Sequence, residues 1–299
     1  MGSLNTLSAV EAARQLAAGK LTSEALVRDC LERIAAREDA VRAWEYLDRD
    51  AALEQARAAD AGPPRGLLHG LPVGVKDLID TVDMPTAYGT PVYAGHRPAW
   101  DAACVALTRA AGGIILGKTV TTEFAGMYPG KTRNPHHPGH TPGGSSSGSA
   151  AAVADYMVPL AFGTQTAGSV IRPAAFCGVV GYKPSFGLIS RVGVKALSDT
   201  LDTVGTIART VPDAALLAAA VSGRADLLVG RPLEGTLRVG ICRTYEWKQA
   251  QPETVAAFER VAEKLAAGGI PVKEVKLPPT YANLVQAQSD IQLAEQAQS

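Results

Sequence analysis

The chain has 299 residues, enough for one large domain or two modest ones, and its 46% hydrophobic content suits a globular core. Its 29 basic and 29 acidic residues balance, leaving no net field to draw nucleic acid or an acidic membrane. The longest apolar runs are broken early, by Asp155 in one and by Arg224 and Asp226 in another, well short of the roughly 20 residues a membrane span needs.

Met1 to Asn5 lacks the basic segment and apolar core of a secretion signal. Met1-Gly2 with Thr6 matches the loose myristoylation pattern, which a cloning remnant or chance would also produce. Residues 8–19 read as a helix, with Ser8 and Glu11 as a capping box and Gly19 as its stop. A second helix follows Thr22-Ser23-Glu24, with Leu26, Cys30, Leu31 and Ile34 on one face. Residues 43–46 suit a short strand, and residues 48–60 a helix ended by Gly62-Pro63-Pro64. Residues 70–77 then read as a buried strand that delivers Lys76 at its end. A solvated strand cap is the alternative for that lysine.

Residues 101–111 are helical, residues 114–116 a strand, and residues 120–140 a Gly/Pro/His-rich loop. Residues 212–221 form an Ala/Leu helix. A strand over 237–242, an amphipathic helix over 252–267 and a strand over 271–277 follow, an ordering that points to an α/β layered fold. The chain stops mid-pattern at Ala294-Glu295-Gln296, so the C-terminal part is expected to be incomplete. Cys30, Cys104, Cys177 and Cys242 are scattered without a C-x-x-C pair, as expected of reduced thiols in a cytoplasmic protein.

The chemistry concentrates in residues 142–187. Ser145 and Ser169 stand 24 positions apart, each beside glycine, with the run Ala150-Ala151-Ala152-Val153-Ala154 between them. Glycine lets the backbone come close to a reacting group, so the stretch reads as two serines on glycine loops around a helix. Three other patterns nearby are weaker. Residues 112–119 match the phosphate-loop spacing, but a helix precedes them and Ile114-Ile115-Leu116 favours a strand where the loop should be. Residues 144–148 match G-x-S-x-G around Ser146, yet all five histidines (His69, His96, His136, His137 and His140) precede it, whereas that hydrolase fold needs its histidine afterwards. His136, His137 and His140 cluster, but Pro135 and Pro138 forbid a regular helix and no Cys or acidic ligand lies near, so no metal is expected.

Gly74-Val75-Lys76-Asp77, Gly117-Lys118-Thr119 with Glu123-Phe124-Ala125, residues 142–149, and Gly168-Ser169 through Lys183-Pro184 occur in an order and spacing that resembles the amidase signature family of serine amidohydrolases. The likeness is strongest over 65–210. It implies a single α/β domain with a mixed central sheet flanked by helices on both sides. Residues 1–62 would be its helical N-terminal region, 65–210 the catalytic core and 236–299 a truncated strand–helix–strand segment. The family's Ser–cis-Ser–Lys triad falls on Ser169 as nucleophile, Ser145 as the bridging cis-serine and Lys76 as base.

The N–H groups of Thr166, Ala167, Gly168 and Ser169 would then form the oxyanion hole, with no cofactor. The family commonly has Asp and Gly-Gly-Ser where this chain has Gln165-Thr166-Ala167-Gly168-Ser169, and its arginine two residues past the nucleophile, where Arg172 stands three past. This variant resembles the malonamidase-like branch, in which Gln165 and Arg172 would bind substrate and Arg172 would suit a carboxylate. An arginine tied to a loop carboxylate is the alternative. The implied partner is a small amide, without nucleic acid or membrane, and a homodimer is compatible. An ammonia-supplying component of a tRNA-dependent amidotransferase and a catalytically incomplete fragment are the other functional readings.

Overall fold

The computed structural model describes residues 3–230, 235 and 237–298; Met1-Gly2 of the acylation pattern and the outer bounds, 236 and 299, of the predicted closing segment lie outside them. Helix α1 (Ala9–Ala17) begins where the Ser8 hydroxyl accepts the N–H of Glu11, and α2 (Ser23–Val41) where Thr22 does the same for Ala25. Each cap satisfies a backbone donor that has no partner inside its helix. Strand β1 (Trp44–Leu47) follows, then α3 (Arg49–Ala61), capped by Asp48 and ended at Gly62.

The rest of the first compact unit comprises β2 (Pro72–Lys76), α4 (Ala103–Ala110), β3 (Ile114–Thr119), α5 (Ser147–Ala154), β4 (Leu160–Gln165), α6 (Ile171–Cys177), β5 (Val180–Tyr182), β6 (Thr203–Ala208) and α7 (Val211–Ser222). That unit covers residues 1–229 with 295–299. Its six strands form a mixed sheet in the order β1-β3-β2-β4-β6-β5, flanked by helices, and β2 runs parallel to both of its neighbours. The second unit, residues 230–294, holds the parallel pair β7 (Val239–Cys242) and β8 (Val272–Val275), joined through α8 (Pro252–Ala267). Helix α9 (Leu284–Gln296) comes last. Among the described residues, no helix is long and apolar enough to cross a membrane.

Strands β3, β4, β5 and β6 depart from the sequence-based expectation. The strand expected over 114–116 continues through Thr119, because Lys118 is buried with Asp77 rather than solvated. The phosphate-loop pattern therefore lies in a fully buried strand. β4 and β6, which carry no alternating pattern, are buried along their whole length, with α5 and α7 packed against them.

Helix α5 explains the run of small residues. All but its last residue are buried, and Gly148 passes so close to the sheet that an added Cβ would lie 2.3 Å from both the Ala43 carbonyl oxygen and the Val120 nitrogen. Its C-terminal end is tied to α2, since Arg33 and Arg37 both donate to the Asp155 carboxylate. Gly148→Ala is expected to destabilise the protein by at least about 2 kcal/mol, since backbone on both sides must move. Ala154→Gly, at the half-buried last residue of the helix, should cost no more than about 1 kcal/mol. Chemical denaturation of the two variants measures the difference.

Candidate active site

The parallel arrangement of β2 and β4 brings Lys76, at the end of one strand, beside Thr164, near the end of the other. Lys76 is fully buried, and its Nζ donates to Ser145 Oγ at 2.7 Å and to Thr164 Oγ1 at 2.7 Å. Among the described residues it contacts no carboxylate. Burial disfavours the ammonium form and lowers the Lys76 pKa to about 7, against the opposing charge of Asp202.

Ser145 sits on the loop before α5, with a cis peptide bond to Gly144. Gly143, at φ 76°, leaves no room for a side chain, since a Cβ there would lie 2.9 Å from the Pro173 Cα. The carbonyl of Ser145 accepts from Thr122 N–H at 3.3 Å and from Ser147 N–H at 2.8 Å. The next residue joins the two serine loops, because Ser146 N–H donates to the Ser169 carbonyl at 3.2 Å.

Ser169 is 7% exposed, just ahead of α6. The loop that carries it is braced by Gln165, whose Oε1 accepts from Val170 N–H at 2.9 Å and Ile171 N–H at 3.0 Å while its Nε2 donates to the Ala167 carbonyl at 2.9 Å. The side chain expected to meet substrate is thus turned onto its own loop. Among the described residues, the N–H groups of Ala167, Gly168 and Ser169 meet no acceptor. Backbone donors left free in such a place suit an incoming oxygen. The hydroxyl of Thr166, in contrast, is bonded to Asp202.

Arg172 is exposed, and its N–H donates to the Gly168 carbonyl at 2.8 Å. Its guanidinium lies over Gly168, where an added Cβ would meet Nη2 at 3.3 Å. No carboxylate pairs with it among the described residues. The histidine loop serves elsewhere: His136 bonds the Cys177 carbonyl at 2.8 Å, and the His137 and His140 rings meet edge to face at 4.4 Å. Among the described residues, no group of three or more His, Cys, Asp or Glu side chains is placed to hold a metal.

Sequence reasoning missed Thr164, Asp202 and the pairing of Asp77 with Lys118. Lys118 is fully buried on β3, next to β2, and donates to the Ile79 carbonyl and to Thr86, with its Nζ 3.4 Å from the Asp77 carboxylate. Asp77 also accepts from Ala87 N–H, and burial lifts its pKa to about 6 although Lys118 opposes the rise. The pair fixes the chain as it leaves Lys76. Lys118→Met strands a buried carboxylate and should cost about 3–5 kcal/mol, while adding Asp77→Asn should recover much of that loss. Urea denaturation of the single and double variants at neutral pH tests this.

Residues 25–299 match the family model described as Amidase. A glutamyl-tRNA(Gln) amidotransferase component from Salinispora arenicola is 40% identical over 305 residues, which cover 93% of this chain and 62% of that protein. A crystal structure of an amidase superposes with a TM-score of 0.89 at 35% identity, over 98% of this chain and 68% of its own. The native peptide amidase from Stenotrophomonas maltophilia gives a TM-score of 0.86 at 35% identity, over 97% and 66%. The chain thus spans less than two thirds of the length of the Salinispora relative.

Proposed function

Because the chain belongs to the amidase signature family, we propose that it hydrolyses carboxylic amides to the acid and ammonia or an amine through a serine acyl-enzyme. The observation that carries this reading is the 2.7 Å contact between Ser145 and a buried Lys76 whose pKa lies near 7. A neutral amine at that position can accept a proton at physiological pH, as a general base must.

In the proposed sequence, Lys76 takes the Ser145 hydroxyl proton while Ser145 takes that of Ser169. The Ser169 oxygen attacks the amide carbon, and the carbonyl becomes an oxyanion held by the free N–H groups of Ala167, Gly168 and Ser169, with Thr166 at the start of that run. Each such donor contributes about 3–4 kcal/mol to transition-state binding. Lys76 then returns its proton through Ser145 to the leaving nitrogen, and the C–N bond breaks. The same relay deprotonates a water that attacks the acyl carbon; the bond to Ser169 Oγ then breaks, the proton returns to that oxygen and the acid leaves. Gln165 acts here by holding the loop, and Arg172 is suited to a carboxylate on the substrate.

The likeness to an amidotransferase component favours one second reading, in which the released ammonia passes to a partner protein. Ammonia release by the purified chain over a panel of neutral and carboxylate-bearing amides, with glutamine included, separates the two. Efficient turnover without a partner supports the hydrolase; activity confined to glutamine in the presence of a partner supports the amidotransferase role.

Three outcomes are expected. Ser169→Ala abolishes covalent labelling by an activated phosphonate, and labelling retained in Ser169→Ala but lost in Ser145→Ala would reverse the two assignments. The kcat/KM of the wild type rises with pH through about 7, because Lys76 must lose its proton before it can act. Arg172→Ala weakens kcat/KM about tenfold to a hundredfold for amides bearing a carboxylate and leaves neutral amides nearly unchanged. Equal loss for both classes, with a lower melting temperature, would mark Arg172 as structural.

A further inference from the structure

The last rung of the β4–β6 ladder pairs Gln165 with Thr203, so Thr166 and Asp202 face each other one step beyond it. There, one Asp202 carboxylate oxygen accepts the Thr166 hydroxyl. The other accepts the N–H groups of Leu197 at 2.8 Å and Ser198 at 3.0 Å. The Asp202 N–H in turn donates to the Ser198 carbonyl at 2.9 Å. Only 6% exposed, this carboxylate ties the 197–202 turn to the first residue of the 166–169 run.

We propose that Asp202 is a positioning residue for the acyl-transfer site: it locks Thr166, and with it the row of free N–H groups that follows, and it supplies the negative charge in whose field Lys76 works. This rests on the roles given to Lys76 and Ser169 above. The side chains in contact with Lys76 are the neutral hydroxyls of Ser145 and Thr164. The carboxylate nearest in sequence, Asp77, is engaged with Lys118. The Asp202 carboxylate is bonded to Thr166, two residues past the Thr164 whose hydroxyl accepts from Lys76, and from there its charge favours the ammonium form of Lys76 against burial. The same side chain thus touches both halves of the chemistry, the base through its field and the oxyanion loop through a hydrogen bond.

The test uses the full chain and two readouts. Lys76 is titrated directly by NMR of 15N-labelled lysine, its resonance identified by its loss in Lys76→Met. Ser169 is followed by its rate of labelling with an activated phosphonate. Asp202→Asn keeps an acceptor for Leu197 and Ser198 and a polar group for Thr166 but removes the charge. Its Lys76 midpoint should fall by about one pH unit. Asp202→Ala should slow labelling by about tenfold or more, and Asp202→Asn should restore roughly half or more of that loss on a logarithmic scale.

An unmoved midpoint in Asp202→Asn, or labelling by Asp202→Ala within about twofold of wild type, overturns the proposal. Should Asp202→Ala fail to fold, Thr166→Val removes the same hydrogen bond from the other side; it must slow labelling to a similar degree without moving the midpoint. The lysine titration needs no turnover. A wild type that resists the phosphonate would therefore overturn the Ser169 assignment while leaving the midpoint shift to decide on Asp202.

Discussion

Lys76 lies buried at the end of the central strand with no carboxylate against it among the described residues, and the arrangement of the site follows from that burial. An ammonium ion loses much of its hydration when buried, and only a close counter-charge restores the balance. Lys76 is given hydroxyls instead, from Ser145 and Thr164, which can share protons with a neutral amine. Its low pKa is therefore a property of the strand's position in the sheet. Lys118, one strand away and equally buried, is likewise pushed down by burial, but it has carboxylates that oppose the shift. Asp77 stands beside it, with Asp80 and Asp83 further off, and these carboxylates favour its charge while burial works against it. Two buried lysines on neighbouring strands thus differ in chemistry because of what faces them.

Around Lys76 the backbone is fixed by contacts that need small residues. The Ser145 loop can lie against α6 because Gly143 has no side chain to strike Pro173. Helix α5 can lie against the sheet because Gly148 presents only hydrogen to the Ala43 and Val120 backbone. Ser146 links the two serine loops through the Ser169 carbonyl, and its own hydroxyl bonds the Thr164 backbone at 3.3 Å. The serine run of this segment divides its labour: Ser145 faces the lysine, while Ser146, Ser147 and Ser149 donate to backbone carbonyls of β3 and β4 or the residues beside them.

The second serine loop is braced from both ends. Gln165 closes a ring of hydrogen bonds over residues 167–171, and Asp202 holds Thr166 from the turn just before β6. Between these braces the N–H groups of Ala167, Gly168 and Ser169 remain without acceptors among the described residues, so order and open valence coincide in the same short segment. The Arg172 guanidinium over Gly168 adds positive charge at its rim.

Much of this was legible in the sequence, and the division has a physical cause. Helix boundaries at Ser8, Thr22 and Asp48 follow from local capping, which depends on a few adjacent residues. The two serines could be singled out because glycine neighbours mark a backbone that must pass close to something, and Lys76 because a charged residue ends an apolar strand. Their assignment to a triad came from resemblance, since spacing alone left Lys76 open as a strand cap. The partners of these residues were hidden. Thr164 and Asp202 have no local signature, and they matter only because β2, β4 and β6 are neighbours in the sheet. The extension of β3 through Lys118 was hidden for the same reason: a lysine reads as exposed until a carboxylate from another strand meets it. Sequence determined where the chain turns and marked Lys76, Ser145 and Ser169 as candidates for chemistry; the sheet decided what they meet, because pairing between strands distant in sequence sets burial, and burial sets charge.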